Sequence, residues 1–527
     1  MTRDFHLPGR SPVMACEGMA ATSHPLATLA AIDTLKAGGT AADAAVAAVA
    51  VLCVVEPHMT GIGGDCFCLV SQPGKPVWGY NGSGRSGAKA TPEALVGQGL
   101  TEIGMTSIHA VTVPGAVEAW DVILNNFGRH GLDRALRPAI GFAENGFPVA
   151  PRVAWDWARL VDKLKGDRGA TMHTLFDGRA PAEGDVIRLP ALARTLRAIA
   201  AGGPRAFYEG AVAEDIVAAL APHGSFLTVE DMAAHRGEAA TPVATNYRGL
   251  DVLELPPNGQ GLVALVLLNM LEGFNLQEME ALGPERFHLV LEAARMAYAV
   301  RDTHIADPIY MRASVPALLD KQFAGALADR IDPARRTPLP TSPTPGNDTV
   351  YLTVVDRDRT AVSFINSLYS GFGVGICGEK SGVMLNNRGA CFVLDPGHPN
   401  TFGPNKRPMH TIIPGMALRG DRCELSFGVM GSHYQPMGHA HVISNMVDYG
   451  MDVQQALDAP RVFFTGERTE VERGIPAATI DGLKARGHDV HMAPLPWGGG
   501  QAIRIDWERG VLVGGSDPRK DGCALGY

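Results

Sequence analysis

Apolar side chains recur with a period of two along Val350-Tyr351-Leu352-Thr353-Val354-Val355, directly after a loop rich in Pro, Thr, Ser and Gly. That alternation predicts a strand over 350–356, and the next apolar run predicts another over 360–368. Further strands are expected at 382–386, 424–428, 501–505 and 511–514, with helices at 435–449, 453–458 and 477–486. Upstream, Pro25 to Ala37 and Ala41 to Val55 read as two helices separated by Gly38-Gly39. Cys66 to Val70 reads as a strand, and Asn81 to Arg85 as the close of a hairpin-like region. Helical segments dominate from Gly115 to Ala240, broken by Gly146, Pro148, Pro181 and Gly203. Tyr247 to Leu255 reads as one strand running into a Pro-Asn-Gly turn, followed by helices at Gly261–Leu271 and Glu285–Arg301. Strands and helices mixed in this way predict an α+β fold, an αββα sandwich with helices covering two stacked sheets.

The one clear break is 337–347. Pro338, Pro340, Pro343 and Pro345 disfavour helix there and leave an extended segment. A chain of 527 residues exceeds a single hydrophobic core, which usually stops growing near ~250–300 residues. Two intertwined layers or two lobes are therefore expected. A hydrophobic content of 46% and a charged content of 19% fit a globular enzyme. The net charge of −9 argues against nucleic acid as a partner. No apolar signal core opens the chain, and the run from Ala41 to Val55 falls short of the ~20 residues a spanning helix needs. No membrane partner and a cytoplasmic location are the expectation. The eight cysteines lack zinc-type spacing and are expected as free thiols. His439 and His441 stand two apart on a helix rather than four, so no metal is expected, and no cofactor motif is present. They read as helix-surface or packing histidines.

A threonine at the start of a strand, just after a cleavable loop, can become a nucleophile whose own freed α-amine is the base. Thr349 stands in that place. Around it lie Pro57-His58-Met59-Thr60-Gly61-Ile62-Gly63-Gly64-Asp65, Pro256-Pro257-Asn258-Gly259-Gln260-Gly261 and Gly371-Phe372-Gly373-Val374-Gly375. Ser381-Gly382-Val383-Met384-Leu385-Asn386-Asn387, Gly403-Pro404-Asn405-Lys406-Arg407-Pro408 and Gly515-Ser516-Asp517-Pro518-Arg519 follow. The order and spacing of this set resemble the γ-glutamyltransferase family of N-terminal-nucleophile hydrolases, from about Ala21 to Tyr527.

The resemblance implies self-cleavage between Asp348 and Thr349. The products would be a large chain, 1–348, ending in the linker 337–348, and a small catalytic chain, 349–527. These two would stay intertwined as a heterodimer, which could pair again. Thr349 aligns with the family nucleophile, and its amine, with a pKa near ~8, would be partly neutral at pH 7. Ser367 aligns with a hydroxyl residue that hydrogen-bonds the nucleophile. Gly431 and Ser432 align with a Gly-Gly pair whose backbone amides hold the oxyanion, each such donor being worth ~2.7–4 kcal/mol. Ser432 keeps the N–H but is less free than glycine to adopt a positive φ.

The residues that read a γ-glutamyl group differ. The family's carboxylate-binding Arg falls on Ser83, with Arg85 two positions on. Tyr369, Arg388 and Cys391 replace an Asn, a Gln and an Asp, and His410-Thr411 replace a paired Ser. An acid that would pair with a substrate ammonium is missing and a cation has appeared. Arg85, Tyr369, Arg388, Cys391, His410 and Thr411 are thus the candidate substrate shell. The expected substrate is a small carboxylate-bearing monoamide, oxamate-like or glutaryl-type, with water or an amine as acceptor. Oxamate amidohydrolases and cephalosporin acylases of the wider family are similar in this loop. The alternatives are a true γ-glutamyltransferase acting on glutathione and an unprocessed, non-catalytic binding homologue.

Overall fold

The strands Val350–Val355 and Ala361–Ser367 are buried along their whole length, which requires layers above and below them. The computed structural model describes residues 6, 9–338 and 349–527 and provides those layers. One seven-stranded sheet runs in the order Cys523–Gly526, Met19–Thr22, Val350–Val355, Ala361–Ser367, Asp65–Ser71, Trp78–Gly82, Glu238–Ala240. A second runs Val13–Ala15, Val511–Ser516, Gly499–Asp506, Arg422–Met430, Gly415–Arg419, Leu250–Glu254, Val243–Tyr247. All neighbouring pairs in both sheets are antiparallel. Each sheet draws strands from both sides of Thr349, so the two parts of the chain are interleaved.

Helices cover both outer faces, as the αββα expectation requires. Ala41–Val55 packs on the first sheet. Its Ala-rich sequence lets it bury every residue, and Thr40 and Asp43 close its first turn as a reciprocal capping box. Gly261–Leu271 and Gln435–Val447 cover the second sheet. Between the sheets, Thr353 Oγ1 meets Ser426 Oγ at 2.6 Å, and Tyr351 lies on Gly428. A Cβ on Gly428 would stand 2.4 Å from the Tyr351 ring, so a glycine is needed where the sheets come this close.

Several local expectations are corrected. Tyr247–Leu255 is not one strand: Arg248 (φ +50°) and Gly249 (φ +86°) form the two-residue turn of a hairpin between Val243–Tyr247 and Leu250–Glu254. The first hairpin turns at 72–77, and Asn81-Gly82 end its second strand. Residues 382–386 make only an isolated bridge, Cys377 to Met384, because the backbone N–H and C=O of Leu385 bond to Ile376 and Val374 across a tight loop. Gly415–Arg419 is an additional strand. His439 is a packing residue, wholly buried, with Nδ1 2.6 Å from Glu254 Oε1 and Nε2 accepting the Val429 N–H. Among the described residues all eight cysteines are free, and no helix is long and apolar enough to cross a membrane.

Candidate active site

Sheet register brings the first site residues together. Val350 pairs with Asn366, so the next step places Thr349 opposite Ser367, and Ser367 itself pairs with Asp65 on the following strand. Three polar side chains therefore line up across three strand ends, all fully buried. Thr349 Oγ1 and Ser367 Oγ are 3.1 Å apart. Contacts between the sheets step antiparallel, from Thr353–Ser426 to Tyr351–Gly428. The same step continued carries Thr349 towards Met430, just before Gly431-Ser432. Gly64 is needed here as well, since a Cβ on it would stand 2.2 Å from the Ser367 carbonyl oxygen.

Arg388 opens a short 3-10 turn, Arg388–Cys391, and is fully buried. Its Nη1 donates to Thr411 Oγ1 at 2.6 Å and its Nη2 to Ser367 Oγ at 3.3 Å. The guanidinium stacks on Tyr369, with Cζ 4.4 Å from the ring centre. Tyr369 has φ +86° and its amide donates to Ser367 Oγ at 2.8 Å. A non-glycine residue held in that region is costly, and such residues gather at functional sites. The buried Cys391 thiol is close enough to Tyr369 and Arg388 to interact electrostatically with both. Burial first, then the neighbouring Cys391, pushes the Tyr369 phenol well above its ordinary range, so it stays protonated.

Two imidazoles stand close by, and both are engaged. His410 Nδ1 accepts the Ile412 N–H at 3.2 Å, while Nε2 donates to Asp65 Oδ2 at 2.9 Å. His433 Nδ1 accepts from Arg301 Nη1 at 2.9 Å, and its Nε2 lies 3.1 Å from the Tyr369 hydroxyl. Burial and the Arg388 charge push His410 down to about 3. Burial, then Arg301 and Arg388, holds His433 well below its usual range. Both rings are neutral at pH 7, and neither has a ring nitrogen left over to serve Thr349 as base.

Gly431 (φ +125°) and Ser432 (φ +50°) form the turn after strand Arg422–Met430. Ser432 thus adopts the left-handed conformation that its sequence made doubtful. Neighbouring contacts hold it: Gln260 Nε2 donates to the Ser432 carbonyl at 2.9 Å, and the Tyr298 hydroxyl donates to the His433 carbonyl. Gln260 Nε2 also donates to the Thr411 carbonyl at 2.8 Å, and its Oε1 accepts from Arg301. Residues preceding Thr349 in sequence therefore pin the turn that follows it in space.

The structure brings Thr349, Ser367, Tyr369, Arg388, Cys391, His410 and Thr411 into one connected cluster. Arg85 is not joined to it among the described residues: it pairs with Asp307 at 3.1 Å and with the Asn405 carbonyl at 3.1 Å. Asp348 lies outside the described residues, as does the linker from 339 on. The sequence alone does not mark Asp65, Gln260, Tyr298 or Arg301 as site residues. Asp65 and Gln260 lie in glycine-rich stretches of the ordered motif set, whereas Tyr298 and Arg301 lie on a long helix with no motif around them. Among the described residues no group of three or more His, Cys, Asp or Glu side chains could hold a metal.

A hydroxyl pair at a strand start, an adjoining positive-φ turn and a stacked buried arginine now have a family context. The model of the gamma-glutamyltranspeptidase family matches residues 27–527. The chain belongs to this family. It is 41% identical, over 98% of its length and 99% of the relative's, to the glutathione hydrolase-like YwrD proenzyme of Bacillus subtilis. It is 36% identical to the oxamate amidohydrolase proenzyme of Klebsiella pneumoniae, with 98% and 99% of the two chains covered. Among solved structures, a cephalosporin acylase from Bacillus halodurans superposes with a TM-score of 0.94 at 40% identity, covering 100% of this chain and 99% of that one. The fold is that of the N-terminal-nucleophile hydrolases, and the chain is an amidohydrolase of that kind.

Proposed function

We propose that the chain matures by cutting itself between Asp348 and Thr349 and then hydrolyses small monoamides that carry a free carboxylate and no α-amine. The Thr349 Oγ attacks the amide carbonyl, the freed α-amine takes its proton and passes it to the substrate nitrogen, and the substrate C–N bond breaks to release that amine as the acyl ester forms on Thr349. Water, or an amine acceptor, then releases the acyl group. The 1–348 and 349–527 chains remain together because each sheet is built from both. The proenzyme names of the relatives support this maturation. The two engaged imidazoles support the α-amine as base, since no other neutral nitrogen in the cluster is left for that task.

The observation that carries the substrate class is the Arg388 guanidinium, fully buried beside the nucleophile pair and stacked on Tyr369. Arginine presents a fork matched to a carboxylate. A γ-glutamyl ammonium entering the same space would lose hydration and meet a like charge. The name of the oxamate amidohydrolase relative agrees with an acyl group of this class. The test compares kcat/KM for a glutaryl anilide and the matched γ-glutamyl anilide, in wild type and Arg388→Gln. The glutaryl donor is expected to lead by about two orders of magnitude, the lead shrinking in the variant. A wild-type preference for the γ-glutamyl donor would replace this reading with glutathione hydrolysis.

A further inference from the structure

We infer that Asp65, together with His410, is a positioning residue that sets the Arg388 guanidinium for an incoming carboxylate. The inference rests on the carboxylate-reading role proposed above for Arg388.

Asp65 is the first residue of strand Asp65–Ser71 and is fully buried. Its Oδ1 accepts the amides of Gly84 at 3.0 Å and Gly115 at 3.2 Å. Its Oδ2 accepts the Nε2–H of His410 at 2.9 Å and stands 3.9 Å from Arg388 Nε. A carboxylate free to approach would close a bidentate pair with the arginine and consume its fork. Asp65 is held back by three other donors, so it offsets the buried charge without capturing it. The Nη edge of Arg388 is left to Ser367, Thr411 and the substrate.

The second link runs through His410. The Ile412 amide fixes Nδ1 as the acceptor, so the proton sits on Nε2 and faces Asp65. Phe67 packs on the ring, with centroids 4.6 Å apart. The residue after His410 is Thr411, whose hydroxyl receives Arg388 Nη1. Asp65 therefore acts on the guanidinium at two places: directly at Nε, and at Nη1 through the His410-Thr411 segment. His410, expected as a substrate contact, becomes on this account the brace behind one.

The test measures glutaryl and butyryl 4-nitroanilides, alike except for the carboxylate, on the full-length protein. Asp65→Asn sets an amide N–H either against the His410 Nε2–H or against the Gly84 and Gly115 amides, and removes the charge facing Arg388. It is expected to raise KM for the glutaryl donor about ten-fold and to lower kcat/KM for that donor several-fold more than for the butyryl donor. His410→Gln, which can still donate to Asp65, should keep most of the wild-type ratio between donors. If Asp65→Asn does not fold, His410→Phe provides the same readout and should lower the ratio likewise. Equal losses on both donors, or an unchanged ratio, would overturn the inference and leave Asp65 a purely structural residue. The two layers fail separately. A wild type with no glutaryl preference refutes the reading of Arg388 itself. A ratio that collapses in Arg388→Gln but survives in Asp65→Asn refutes only the positioning role.

Discussion

Ser432 shows what a single residue can store. Its φ of +50° is disfavoured for any side chain, yet Gln260 and Tyr298 hold the carbonyls of Ser432 and His433. Replacing Ser432 by glycine should keep turnover, because the amide stays and the strain is relieved. Ser432→Val should cost about 1–2 kcal/mol at that backbone position and lower kcat by roughly ten-fold or more. Single-turnover rates with a glutaryl anilide check both, and equal rates for the two variants would show that the turn does not matter. At this scale the sequence was partly legible. Thr349 and Ser367 could be named because a strand start and an ordered motif set mark them. Asp65 and Arg301 could not, because a buried ionisable side chain reads like an exposed one until its partners are known.

Among the elements, the two sheets approach closely at Gly428, where a Cβ would stand 2.4 Å from the Tyr351 ring. Gly428→Ala would press a methyl group into the Tyr351 ring, and overpacking of this kind typically costs about 1–3 kcal/mol. Denaturant unfolding should show the loss, and Gly428→Ala with Tyr351→Leu should recover part of it. A Gly428→Ala variant as stable as wild type would mean that the sheets can part without cost. Most helices and the paired central strands followed from periodicity. The errors fell where the chain turns. Arg248-Gly249 carries no strong turn signal next to an apolar run, and 382–386 has strand composition but pairs only through the single Cys377–Met384 bridge.

At the scale of the whole molecule, a buried ion-pair network ties the C-terminal strands to the helix Val453–Asp458. Asp517 is fully buried there, 2.5 Å from Arg461 Nη2 and 3.1 Å from Arg519 Nη1, and it also accepts the Gly500 and Arg519 amides. Burial opposes its ionisation, but Arg461, Arg519 and these amides outweigh burial and hold its pKa below the usual carboxylate range. A lowered folded pKa contributes stability that is complete above the unfolded value, near ~4, and is lost as pH falls through the folded one. Wild type should therefore lose Tm more steeply than Asp517→Asn below about pH 4. At pH 7 the variant should be less stable by about 3–5 kcal/mol, as expected when one partner of a buried pair is removed. Parallel Tm curves for the two proteins would refute this assignment.

Interleaved sheets also explain how a cut chain could stay whole: both layers contain strands from 13–254 and strands from 350–526, paired directly with one another. Everything proposed for the site depends on that cut creating the amine of Thr349. Denaturing mass spectrometry of the purified protein, before and after a pulse of glutaryl anilide, tests this most directly. Two chains are expected, the smaller beginning at Thr349 and gaining one glutaryl group, with a single uncut chain for Thr349→Ala. One full-length chain that hydrolyses the anilide without carrying an acyl group on Thr349 would contradict this.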